Sequence, residues 1–146
     1  MRKPPPPDFP VCRPAFSHHI SVVKIATIIA RLLLGLVFVV FGSNAFLHFI
    51  PMPPLPQTPA GDFTRALIQS HYVYVVGALQ VLGGLLLLIG RYVPLGLTLL
   101  GPVIVNILCF HIFLDQQGLP IALVVALLAL FLLYRHRANF AGLVRP

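Results

Sequence analysis

Two pairs of side chains at helical spacing are the best candidates for chemistry in this chain. Asn44 and His48 are four residues apart, and so are His111 and Asp115, so the members of each pair lie on one face of a helix. Asn106 precedes the second histidine by five residues. Imidazole nitrogens can bind a metal ion or haem iron, or form a hydrogen bond with a carbonyl such as that of a quinone headgroup. The Asp115 carboxylate is placed to orient the His111 ring.

These histidines also have a purely structural interpretation, because histidine is an ordinary amphipathic residue where a membrane meets water. No His or Cys spacing in the sequence matches a known metal-ligand motif, which disfavours zinc and bis-histidine haem. We therefore expect Asn44, His48, Asn106 and His111 to line one pocket for a small polar headgroup, with quinone as the favoured cofactor.

Four apolar runs must position these side chains. The chain has 146 residues, of which 58% are hydrophobic and 9% charged, and a bilayer-spanning helix needs roughly 20 apolar residues. Runs at about 25–50, 72–90, 93–114 and 119–134 approach or exceed that length. The sequence predicts an all-α integral membrane four-helix bundle over residues 21–137.

The basic residues predict the orientation of this bundle. The net charge is +7, and nine of the ten Lys and Arg residues lie in the two terminal regions or in the turn at Arg91, whereas only Arg65 lies in the other connections. Cytoplasmic loops carry this excess, so we expect both termini on the cytoplasmic side of the membrane. Residues 1–20 are proline-rich and predicted to be a disordered tail, and 138–146 a second tail. Basic residues at membrane boundaries do not indicate nucleic acid binding.

Small and polar residues predict how the helices pack. Gly77, Gln80 and Gly84 share one face of the second span with Gly83 beside them, an arrangement that favours close helix contact. No ionisable residue lies at the centre of a span, which argues against a proton pump. Residues 62–67 predict a short amphipathic surface helix next to a stiff proline-rich loop.

A degenerate internal repeat is a further interpretation of the same helices. It would relate the two halves as parallel helix pairs about an axis along the membrane normal. The aligned residues are Arg31, Gly35, Leu36, Asn44 and His48 in the first half, and Arg91, Gly96, Leu97, Asn106 and His111 in the second.

Four segments follow one another in a characteristic order: 31–42, 48–56, 83–88 and 91–95. Together they resemble the DoxX family of small bacterial membrane proteins, and the resemblance covers roughly residues 30–137. The resemblance implies a four-helix inner-membrane protein, and the family takes its name from a subunit of a thiosulfate:quinone oxidoreductase. Many relatives carry an acidic residue where this chain has Gln80, which puts a proton-linked step in doubt. No catalytic residue is carried over.

Three functions follow as hypotheses. The favoured one is a membrane subunit or accessory protein of quinone-linked redox chemistry, non-catalytic by itself, with a redox partner subunit or a second copy as partner. The alternatives are a carrier for a small neutral solute and a membrane scaffold or assembly protein without chemistry.

Overall fold

The computed structural model describes residues 16–144, and this part of the chain is helical without strands. The helices are α1 (Phe16–Leu47), α2 (Pro59–Gln69), α3 (Tyr72–Ile89), α4 (Val93–Phe113), α5 (Leu119–Arg135) and α6 (Arg137–Val144), with a 3-10 turn at Gln116–Gly118 before α5. Four segments are long and apolar enough to cross a membrane: Val22–Leu47, Tyr72–Ile89, Val93–Phe113 and Gln116–Arg135. The predicted all-α membrane bundle is confirmed.

The four long helices form a closed ring in which α1 contacts α3 and α5, and α4 contacts the same two helices. Among the residues whose burial is described, none of the fully buried side chains is polar or charged, and the core is built from Leu, Val, Ile, Ala and Phe. Large apolar side chains such as Ile121 and Leu127 also cover the outer surface. A dry core inside an apolar exterior is the arrangement expected where lipid is the solvent.

Three glycine pairs set the distances between α3 and its neighbours. A Cβ added to Gly35 of α1 would lie 2.9 Å from the carbonyl oxygen of Gly84, and one added to Gly42 would lie 2.9 Å from that of Gly77. On the other side of α3, a Cβ on Gly96 of α4 would lie 2.9 Å from the Gly83 oxygen. Backbones approach this closely only where both helices present small residues.

The ends of α1 differ from the sequence prediction. The helix begins at Phe16, inside the stretch predicted as a tail, while residues 1–15 lie outside the described part of the chain. It ends at Leu47 rather than at residue 50, because His48 adopts a left-handed conformation with φ of 50° and Pro51 follows.

The two short helices lie at opposite ends of the bundle. Helix α2 contains the predicted amphipathic segment 62–67; Pro59 is in its first turn, and the Thr58 hydroxyl accepts a hydrogen bond from the Gly61 amide. Helix α6 occupies most of the stretch predicted as the second tail, and Phe140 packs against the core.

Candidate functional site

The first candidate pair shapes the end of α1. The Ile50 amide donates a 2.7 Å hydrogen bond to Asn44 Oδ1, and the His48 amide donates to the Asn44 carbonyl oxygen at 3.0 Å. The Asn44 side chain thus fixes the chain where it leaves the helix, and its Nδ2 donor is not used by that bond.

A cavity of about 470 Å³ opens beside this turn, between α1, α3, the proline-rich loop and α2. We call it the α1–α3 cavity. Its polar side chains are Asn44, His48, Tyr74 and Gln80, and they stand among apolar ones that include Phe41, Ile50, Met52, Ile68, Val73 and Val76. Its volume lies in the range of small-molecule sites, about 300–1,000 Å³.

The second candidate pair lies in a different place. Asn106 and His111 line a cavity of about 210 Å³ between α4 and the α2 residues Phe63, Thr64 and Leu67. We call it the α2–α4 cavity. Val76 contributes to both cavities. The structure therefore brings Asn44 together with His48, and Asn106 together with His111, but it does not join the four residues in the single predicted pocket.

His111 is held mainly by backbone rather than by the Asp115 carboxylate. Its Nδ1 lies 2.9 Å from the Asp115 carbonyl oxygen and 3.7 Å from Oδ2, so Nδ1 must carry a proton that it donates to the carbonyl. Asp115 Oδ1 instead accepts from the Gln117 amide at 3.2 Å, capping the 3-10 turn. The imidazole also lies against Gly118, where a Cβ has no room. These contacts join His111, in the last turn of α4, to the α4–α5 connection.

The predicted packing residues divide between the cavity and the helix contacts. Gln80 is half-buried, its Cβ lies where a side chain on Gly42 would collide, and its side chain lines the α1–α3 cavity beside Gly77. Gly83 and Gly84 face different helices, as described above.

Tyr74 also lines the α1–α3 cavity, although it is not among the site residues predicted from the sequence. Its ring stacks on Phe46 with a centroid distance of 5.6 Å and lies 5.9 Å from the His71 ring. Its position three residues before Gly77 and six before Gln80, on one helical face, was the available signal.

The described residues contain no group of three His, Cys, Asp or Glu placed to hold a metal ion. His111 and Asp115 form a pair only, whereas protein zinc sites use at least three protein ligands.

A ring of four apolar helices, packed through glycines and covered at one end by an amphipathic helix, defines a multi-pass membrane protein. Residues 26–112 match the model of the DoxX family, and this chain belongs to that family. It is similar to the uncharacterized protein YwoB of Bacillus subtilis (strain 168), with 30% identity over 122 residues covering 79% of each chain. No solved structure matches the chain significantly. The family resemblance found in the sequence is confirmed.

Proposed function

We propose that this protein is a membrane subunit or accessory protein of quinone-linked redox chemistry, and that it binds the quinone headgroup in the α1–α3 cavity. It is non-catalytic by itself, and electrons are exchanged by a partner. The observation that carries the proposal is a cavity of about 470 Å³ near one end of a membrane bundle, in which Asn44, His48, Tyr74 and Gln80 stand among apolar side chains.

The donors in the α1–α3 cavity suit a quinone. A quinone is an apolar ring with two carbonyl oxygens, so a matching site needs apolar walls and a few hydrogen-bond donors. The Asn44 and Gln80 amides and the His48 ring supply those donors. An amide donates to a carbonyl without taking up a proton, so Gln80 supports binding rather than a proton-linked step.

The sidedness of the protein is part of the proposal. We define the histidine end by His48, His71 and His111, and the basic end by Arg31, Arg91, Arg135, His136 and Arg137. The excess of Lys and Arg places the basic end and both termini in the cytoplasm of a bacterial inner membrane. The α1–α3 cavity then opens at the outer leaflet.

Quinone retention tests the proposal. The protein is purified from a quinone-containing membrane, and the extracted quinone is quantified per mole of protein. We expect wild type to retain quinone, and His48→Ala and Gln80→Leu to retain about five- to tenfold less, because each loses a hydrogen-bond donor that lines the cavity. His111→Ala is the matched control, since it removes a histidine from the other cavity, and it should retain the wild-type amount.

Two results would overturn the proposal. One is wild-type protein with no more quinone than an unrelated membrane protein carries. The other is a loss in His111→Ala as large as that in His48→Ala, which would mean that the retained quinone does not distinguish the two cavities.

A further inference from the structure

Arg31 occupies an unusual position at the basic end. Its side chain is half-buried, and its guanidinium lies against Gly90, which has a φ of 79° and no room for a Cβ. Two independent constraints, the left-handed backbone and the contact with Arg31, therefore require glycine at position 90. The Arg31 Nε is fully buried, and no atom of the described residues forms a hydrogen bond with it.

Positive charge surrounds Arg31, and the described carboxylates lie elsewhere. Arg135 ends α5 and His136 follows it at the same end. Asp62 of α2 instead contacts Arg65, and Asp115 of the α4–α5 connection contacts His111. Burial, and then the charges of Arg135 and Arg31, lower the pKa of His136 from its usual value. No carboxylate in the described part of the chain forms an ion pair with Arg31, Arg135 or His136.

We propose that a site at the basic end binds the phosphate diester of an anionic phospholipid. The Arg31 guanidinium is its principal ligand, with Arg135 and His136 beside it, and the exposed Arg91 is not part of it. A guanidinium is a planar fork of donors that matches phosphate oxygens, and a half-buried cation gains most from such a partner. This site lies at the opposite end of the bundle from the α1–α3 cavity and does not depend on the quinone proposal.

The surroundings favour a lipid as the source of the phosphate. Tyr92 and Tyr134 are exposed at this end, as aromatic residues are where a bilayer meets water, and Arg137 stacks on the Tyr134 ring at 4.3 Å from its centroid. Ile28, one turn before Arg31 on the same helical face, is 47% exposed and offers an acyl chain an apolar surface. Basic pockets between membrane helices bind anionic headgroups in this way.

Competitive lipid retention tests this site. The full chain in detergent is incubated with equimolar phosphatidylglycerol and phosphatidylcholine, separated from free lipid, and its lipids are quantified by mass spectrometry. We expect wild type to prefer phosphatidylglycerol and Arg31→Gln to lose the preference about tenfold, because a partly buried charged hydrogen bond is removed. Arg91→Gln removes an equal charge from an exposed position at the same end and should change the preference by no more than about twofold.

A second variant, Arg31→Lys, keeps the proposal testable if Arg31→Gln does not fold. Arg31→Lys keeps the charge but removes the planar fork, and we expect it to lose most of the preference. The proposal is overturned if wild type shows no preference, or if Arg91→Gln loses as much as Arg31→Gln. Displacement of the bound lipid by inorganic phosphate would also overturn it. A further contrary result is that Asp8→Asn destabilises the protein as much as Arg31→Gln while wild type retains no lipid. The Asp8 carboxylate, and not a lipid phosphate, would then be the counter-ion of Arg31.

Discussion

At the residue scale, the candidate side chains lie in two cavities, Asn44 and His48 in the α1–α3 cavity and Asn106 and His111 in the α2–α4 cavity. Spacing alone paired Asn44 with His48, and the structure places both in the α1–α3 cavity. The spacing could not show that Val76 and α2 divide the candidate residues between two cavities, because that division depends on how α2 packs on the bundle. Nor could spacing find the contact of Arg31 with Gly90, which joins residues almost sixty positions apart.

His136 provides a prediction at this scale. Because its pKa is lowered in the folded protein, the unfolded chain takes up a proton first as the pH falls through the usual histidine range near 6.5. Stability should therefore be highest above that range and should decline on acidification. His136→Gln should flatten this part of the profile of melting temperature against pH in detergent.

The control for this prediction is Asn139→Gln, an exposed residue of α6 that does not titrate. It should keep the wild-type profile. A His136→Gln profile with the wild-type slope would show that another group is responsible.

At the element scale, the four spans were predictable because length and hydropathy are sufficient to identify a spanning helix. Helix α6 was missed because it is short and only partly apolar. The sequence also could not show which helix each glycine of α3 contacts. Gly77 and Gly84 are seven residues apart and share the face that meets α1, whereas Gly83, one residue before Gly84, is turned toward α4.

The glycine contacts predict a difference between two otherwise similar substitutions. A Cβ at position 84 would lie 2.8 Å from the Gly35 oxygen, so Gly84→Ala should force α1 and α3 apart and cost about 1–3 kcal/mol. No atom of the described residues lies within 4 Å of a Cβ added to Gly101 of α4, and Gly101→Ala should be neutral or stabilising by up to about 1 kcal/mol.

Unfolding in detergent, followed by far-UV circular dichroism, measures both variants. Equal stability of the two would contradict the packing role given to the α1–α3 contact.

At the scale of the whole molecule, a dry core separates two ends with different chemistry. The aligned glycines of the repeat, Gly35 and Gly96, pack on the adjacent residues Gly84 and Gly83 of α3. The aligned Asn and His pairs line the two cavities that share Val76. These correspondences support the interpretation of the bundle as two parallel repeats. The fully buried side chains of the described core are apolar from one end of the bundle to the other.

Both ligand proposals depend on the bundle crossing the bilayer with its two ends on opposite sides, which impermeant thiol labelling tests directly. In a background with Cys12→Ser and Cys109→Ser, single substitutions are made at two exposed positions, Ser70→Cys after α2 and Ala138→Cys in α6. In intact spheroplasts we expect an impermeant maleimide to label the protein carrying Ser70→Cys and to label Ala138→Cys only after permeabilisation. Labelling of Ala138→Cys in intact spheroplasts, or equal labelling of both positions, would contradict the account.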